Sequence, residues 1–383
     1  MKETRMNIPD DKLSPKIINR RNIYRYIDSQ KNVTIQEIVQ SLHLSNPTVV
    51  QNIKELQARD LLCISGTREK TGGRNAQTYS CNYSKKTAIG LDISAHHIRA
   101  VLIDLSGKPI AIEKHIEAFS LTPSYFAKLN EVIEGIIEKS GIDRDSVLGV
   151  GIAVPGLVSN DNSVVTYGKI LNFTGTTNRE FGQYINYPVK LFNDANAGAL
   201  AEVSLSNHIH NAFYISLSNN VGGAVVLNDN LYLGENERSG EIGHITIEPF
   251  GPQCYCGQKG CFETYGNARV LSDMTDGNLE EYFSQLRLGN QAAIQLWKKY
   301  VTYLAIAINN IRMLFDCNII LGGYVGSYIQ EFMQPLLNEV EKRNLFGDKP
   351  EKFIFPCRYK VEAIAAGSAL PFITEYQSQS LLY

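Results

Sequence analysis

His244, Cys254, Cys256 and Cys261 set one imidazole and three thiols within a short stretch of chain. Imidazole nitrogen and thiolate sulfur are the donors that hold Zn2+ tetrahedrally, and structural zinc sites fill all four positions with protein ligands. Gly257 and Gly260 lie between the second and third thiols and let the chain fold round one ion. A disulfide or free sulfhydryls are the other fates open to such thiols. The chain has 7 Cys in 383 residues, an odd and low number. That usage points to a reduced, cytoplasmic setting. The remaining four, Cys63, Cys81, Cys317 and Cys357, are scattered and read as packing residues.

The elements that must position this cluster alternate between strand and helix. Thr87–Ile93 is an apolar run holding Asp92, Ile98–Asp104 is a second strand, and Ser106-Gly107-Lys108-Pro109 is a turn. Helical periodicity covers Phe126–Ile137. Val147–Val154 and Val189–Phe192 are buried strands, the second running into Asn193-Asp194. A second round follows: strands Phe213–Leu217 and Val221–Leu227, a long helix over Ala292–Phe315, a strand at Asn318–Leu321, then Gly322-Gly323. This alternation predicts an α/β fold. Its repetition predicts a duplicated, two-lobed body with a cleft between the lobes.

The first 84 residues read differently. A helix is expected over Ser14–Asp28. Thr34 and Glu37 form a capping box opening a second helix, with Ile35, Ile38, Val39 and Leu42 on one face. Ser45 caps a third helix, with Pro47 in its first turn and Val49, Ile53 and Leu56 facing inward. Two short helices joined by a tight turn define a helix-turn-helix. The outward face of the third helix is assigned Asn46, Thr48, Val50, Gln51 and Asn52. Amide side chains can read an adenine edge, and an apolar group can touch a thymine methyl. Leu61–Ser65 and Thr78–Cys81 are the arms of a hairpin whose tip, Lys70–Arg74, is basic. The whole reads as a winged helix-turn-helix, with Arg74 placed for a phosphate or the minor groove.

Charge supports that division. Residues 1–86 hold 15 Lys and Arg against 8 Asp and Glu, a net of +7, whereas the remaining 22 basic and 31 acidic residues give −9. A basic head on an acidic body points to nucleic acid as a partner of the head. No apolar run approaches the roughly 20 residues of a membrane span. Met1–Pro9 shows no signal-peptide core.

The segment Gly240-Glu241-Ile242-Gly243-His244, followed by Cys254-Tyr255-Cys256-Gly257-Gln258-Lys259-Gly260-Cys261-Phe262-Glu263, resembles the signature of the ROK family of repressors and sugar kinases. The resemblance covers nearly the whole chain. It implies an actin-like ATPase fold of the hexokinase type, with a winged helix-turn-helix over 1–84 and a two-lobed sugar-binding domain over 85–383, whose C-terminal helix returns to the first lobe. It implies structural zinc on His244, Cys254, Cys256 and Cys261. It also implies a monosaccharide site built from Asn172, Asn193, Asp194, Glu241, His244 and Glu263, with Asp194 at the position of the kinase general base. Such groups suit sugar hydroxyls, because carboxylates accept and amides both donate and accept.

Two departures bear on function. Family kinases carry Gly-Gly-Thr after the first Asp, where backbone N–H groups approach ATP phosphates; here Asp92-Ile93-Ser94-Ala95-His96-His97 stands instead. The second phosphate loop is replaced by Ser218-Asn219-Asn220. The resemblance is therefore to the family's xylose and N-acetylglucosamine repressor branch. The expectation is a non-catalytic, sugar-responsive repressor that binds operator DNA as a homodimer or homotetramer. The competing expectation is an ATP-dependent sugar kinase with an atypical phosphate loop.

Overall fold

A computed structural model describes residues 14–68, 75–204, 206 and 208–382. The N-terminal part holds helices Pro15–Gln30, Ile35–Leu42 and Asn46–Ala58, then an antiparallel hairpin of Leu62–Arg68 and Ala76–Cys81. Val33–Thr34 adds a third strand beside Thr78 and Tyr79. The expected caps are present. Thr34 N–H donates to Glu37 Oε2 at 2.8 Å, and Glu37 N–H returns to Thr34 Oγ1 at 3.3 Å. Glu37 also pairs with Arg68 of the hairpin at 2.5 Å, which ties the second helix to the strands. Ile23, Ile27, Ile38, Val49, Ile53 and Leu56 close the core of this unit. Arg74 lies outside the described residues, as does the rest of the hairpin tip.

Asn52 departs from expectation. It is buried rather than outward, and its Nδ2 donates to Thr48 O at 2.8 Å. The reason is the helical repeat. Asn52 stands three residues after Val49 and four before Leu56, so it falls on the buried stripe. Asn46 and Gln51 are exposed, while Thr48 and Val50 are partly covered.

The body contains two five-stranded sheets of matching plan. In the first, Thr87–Ile93 pairs antiparallel with His97–Asp104 and parallel with Val147–Val154, which pairs parallel with Val189–Asn193. In the second, Ala212–Leu217 pairs antiparallel with Val221–Leu227 and parallel with Asn318–Gly322, which pairs parallel with Ile354–Pro356. Pro123–Ser140 buries Phe126, Leu129, Ile133 and Ile136 against the first sheet. Gln291–Phe315 buries Trp297, Tyr300, Leu304 and Ile308 in the core of the second.

Two helices join the halves. Asp194–Ser204 follows the first sheet's last strand, and Ala363–Leu382 follows the second's. Their backbones nearly touch: a Cβ on Gly367 would fall 1.7 Å from Ala197 O. No larger residue fits there. The Ala363–Leu382 helix then runs past the body into the N-terminal unit. Leu381 is buried in that unit's core. Arg20, itself buried, donates to Leu381 O at 3.2 Å, and Arg59 donates to Ser380 O at 2.5 Å. Among the described residues, no helix is long and apolar enough to cross a membrane.

Candidate metal centre and ligand cleft

The donor atoms of His244, Cys254, Cys256 and Cys261 all lie within 4.8 Å of one another. Cys256 Sγ is 3.7 Å from Cys261 Sγ, and Cys254 Sγ is 3.8 Å from His244 Nδ1. Zn–S bonds of about 2.3 Å at tetrahedral angles put neighbouring sulfurs about 3.8 Å apart. The donor set and its spacing therefore fit a tetrahedral metal such as zinc. All three thiols are unbridged. Tight local bonds shape the loop: Cys254 N–H donates to Gln258 O at 2.8 Å, and Ile247 N–H to Gly260 O at 2.9 Å. Gly260 has φ +70°, and a Cβ there would lie 1.6 Å from Glu248 O, so only glycine passes. Burial pushes the Cys261 thiol up to about 12. A metal must displace that proton, so loading is pH-dependent.

Carboxylates converge beside this centre. Glu263, almost wholly buried, accepts Val221 N–H at 2.6 Å and the Asn220 amide at 3.3 Å. Burial pushes it up to about 7 against those bonds. Asp194 is likewise pushed up to about 7 by burial, with Asp92 and Glu241 adding to the effect and the Ala195 N–H opposing it. Glu241 opens to solvent, yet the protein around its carboxyl raises it. Burial lowers His244. Tyr255, which the sequence reasoning passed over, bonds His244 Nε2 through its hydroxyl at 3.2 Å. Glu263 and Glu241 both act on its phenol.

Glu241, His244 and Glu263 thus share Tyr255 as a neighbour, and Asp194 lies within electrostatic reach of Glu241. Asn193 is bonded locally: its amide donates to Gly156 O at 3.0 Å, and its oxygen accepts Asn196 N–H at 2.9 Å. Asn172 is exposed in a turn at φ +53°, and no side-chain hydrogen bond joins it to the others.

The Asp92–His97 and Ser218–Asn220 segments are both bonded internally. Asp92 is buried and faces Arg99 at 3.1 Å, its partner on the next strand. Ser94 N–H closes a tight turn on His97 O at 3.0 Å. Asn220 holds Glu263, and Ser218 Oγ accepts Tyr324 N–H at 3.4 Å. Farther along the Asp194–Ser204 helix, Glu202 accepts Arg358 N–H at 2.8 Å and Tyr359 N–H at 2.9 Å, and burial pushes its carboxyl up to about 7.

Asp194, Glu202 and Glu263 all sit above the usual carboxylate range. The folded protein then holds protons that the unfolded chain releases. The stability this gives is fully present below the unfolded values near pH 4 and is lost as pH rises through about 7. Urea melts of zinc-saturated protein should show a lower midpoint at pH 8 than at pH 6, and Glu202→Gln should flatten that difference. A Glu202→Gln protein with the wild-type pH dependence would exclude Glu202 as a source.

The profile of the ROK family matches residues 88–370. A xylose repressor of Bacillus spizizenii is 27% identical over 321 residues, spanning 81% of this chain and 83% of that protein. An N-acetylmannosamine kinase of Vibrio cholerae is 26% identical over 289 residues, spanning 72% of this chain and 99% of the kinase. A solved ROK family transcriptional regulator, a homologue of the E. coli MLC protein, superposes with a TM-score of 0.72 at 22% identity, covering 96% of this chain and 99% of the regulator. The duplicated sheets are the actin-like, hexokinase-type fold of those proteins, and this chain belongs to the ROK family.

Proposed function

We propose that the protein is a sugar-responsive transcriptional repressor. The observation that carries this reading is the N-terminal unit, which has the build of a winged helix-turn-helix. Its third helix buries Val49, Ile53 and Leu56 and leaves Asn46 and Gln51 exposed, with Thr48 and Val50 at the margin. The kinase relative is spanned almost entirely by 72% of this chain, so it supplies no counterpart for the rest. Division at residues 84 and 85 belongs to the same proposal.

In this reading a homodimer or homotetramer presents paired third helices to two half-sites of an operator, about 34–36 Å apart. Arg74, at the basic tip, adds a phosphate or minor-groove contact. A monosaccharide lies among Asp194, Glu241, His244 and Glu263, with Asn172 and Asn193 at its margins. Bound zinc supplies a fixed anchor for the sugar loop. The sugar acts by binding one arrangement of the two halves more tightly than the other. The setting is cytoplasmic, where the thiols stay reduced.

One observation favours the kinase reading: Asp194, at about 7, is tuned as a general base for a hydroxyl would be. The internal bonding of Asp92, Ser218 and Asn220 weighs against it. A thermal-shift screen of monosaccharides, beginning with D-xylose, together with duplex retention across a salt series, tests the proposal. A sugar-induced rise in midpoint should appear. Retention should fall steeply with salt and weaken in Gln51→Ala. ATP-dependent sugar phosphorylation that disappears in Asp194→Asn would sink the non-catalytic reading.

A further inference from the structure

His244 has two ring nitrogens with separate tasks. Nδ1 faces the thiols, 3.8 Å from Cys254 Sγ. With Nδ1 turned to a metal, the single ring proton resides on Nε2, which becomes a donor with one hydrogen to give. That hydrogen already has an acceptor, since the Tyr255 hydroxyl lies 3.2 Å from Nε2. The rings meet edge to face, with centroids 5.2 Å apart and planes at 79°.

Tyr255 is unusual in being held and free at once. Its backbone is fixed between two metal-facing thiols, Cys254 and Cys256. The residue is 46% exposed. Rotation about its own side-chain bonds can therefore carry the phenol away without moving the loop. Burial raises its phenol above the usual range, and the charges of Glu263 and Glu241 add to the effect.

We infer that Tyr255 is a movable stand-in for a ligand hydroxyl, holding the His244 Nε2 proton until a sugar hydroxyl takes it. This rests on the proposed sugar site. A single N–H serves one acceptor well, so the sugar and the phenol compete. The phenol keeps the imidazole oriented while the cleft is empty. It also sets a threshold, because a ligand lacking a hydroxyl at that point leaves Tyr255 in place and gains nothing there.

The test uses the full-length, zinc-loaded protein, wild type and Tyr255→Phe, titrated calorimetrically with D-xylose, D-glucose and N-acetyl-D-glucosamine. Removing the competing hydroxyl should tighten binding of the responding sugar about 3- to 10-fold, the worth of one ordinary hydrogen bond. Equal or weaker binding in Tyr255→Phe would overturn the inference and leave the sugar site standing; weaker binding would mark the phenol as a ligand contact. Binding to neither protein would end the sugar reading and this inference with it. A ligand-free arm reads the same contact. In protein carrying isotope-labelled histidine, the His244 Nε2 proton should exchange with solvent faster in Tyr255→Phe, and an unchanged rate would overturn the stand-in role.

Discussion

Cys261→Ser should strip the metal from the protein and destabilise it by about 5 kcal/mol or more, at the diagnostic end of single-substitution effects. The expectation rests on where Cys261 sits. Its side chain is fully buried, between Gly260 and Phe262. Phe262 N–H donates to Ile245 O at 2.9 Å, and the Phe262 ring lies in the core of the second sheet. Glu263 comes next, fastened to Val221 and Asn220. Loosening Cys261 therefore disturbs the core and the carboxylate cluster together. A serine hydroxyl is a poorer ligand for zinc and leaves a buried polar group without a good partner. Metal content by atomic emission and melting by calorimetry read the result. Cys357→Ser, which removes a thiol away from the cluster, should retain the metal. A Cys261→Ser protein with full metal content would refute the four-ligand assignment.

Ending the chain after Tyr376 should reduce low-salt duplex retention at least tenfold while the body stays folded. The truncation removes Leu381 from the N-terminal core, a loss on the scale of a large-to-small core substitution, about 2–5 kcal/mol. It also takes away the carbonyls that accept from Arg20 and Arg59. Arg20 would keep its ion pair with Glu55. The residues that seat the helix on the body, such as Ala365, Gly367 and Ala369, remain. Faster proteolysis of the N-terminal unit, with sugar-dependent thermal shifts retained, would accompany the loss. Undiminished DNA retention would show that the unit is stable without the helix.

Local features were legible in the sequence. The Thr34–Glu37 box and the Ser45 cap are fixed by side chains within one helical turn, so pattern alone locates them. The central strands of both sheets are continuous apolar runs and stood out for that reason. The metal cluster was legible because its donors are close in sequence. Asn52 has an amide suited to a base edge, yet its spacing from Val49 and Leu56 puts it on the buried face. What joins distant parts was not legible. Glu202 meets Arg358 and Tyr359 across 156 and 157 residues, and Arg20 meets Leu381 across 361. No local pattern announces such partners. Tyr255 is illegible for another reason: it lies between two candidate ligands and is not itself a metal donor.

The insertion of Leu381 into the N-terminal core has a consequence for biosynthesis. The other core residues of that unit are made before the whole body, whereas Leu381 is made after it. At about 5–20 residues per second, the wait from residue 86 to residue 381 is on the order of 15–60 s. During that interval the nascent unit lacks part of its apolar lining and the acceptors for two arginines. The interior of the unit is complete only once Leu381 has been made.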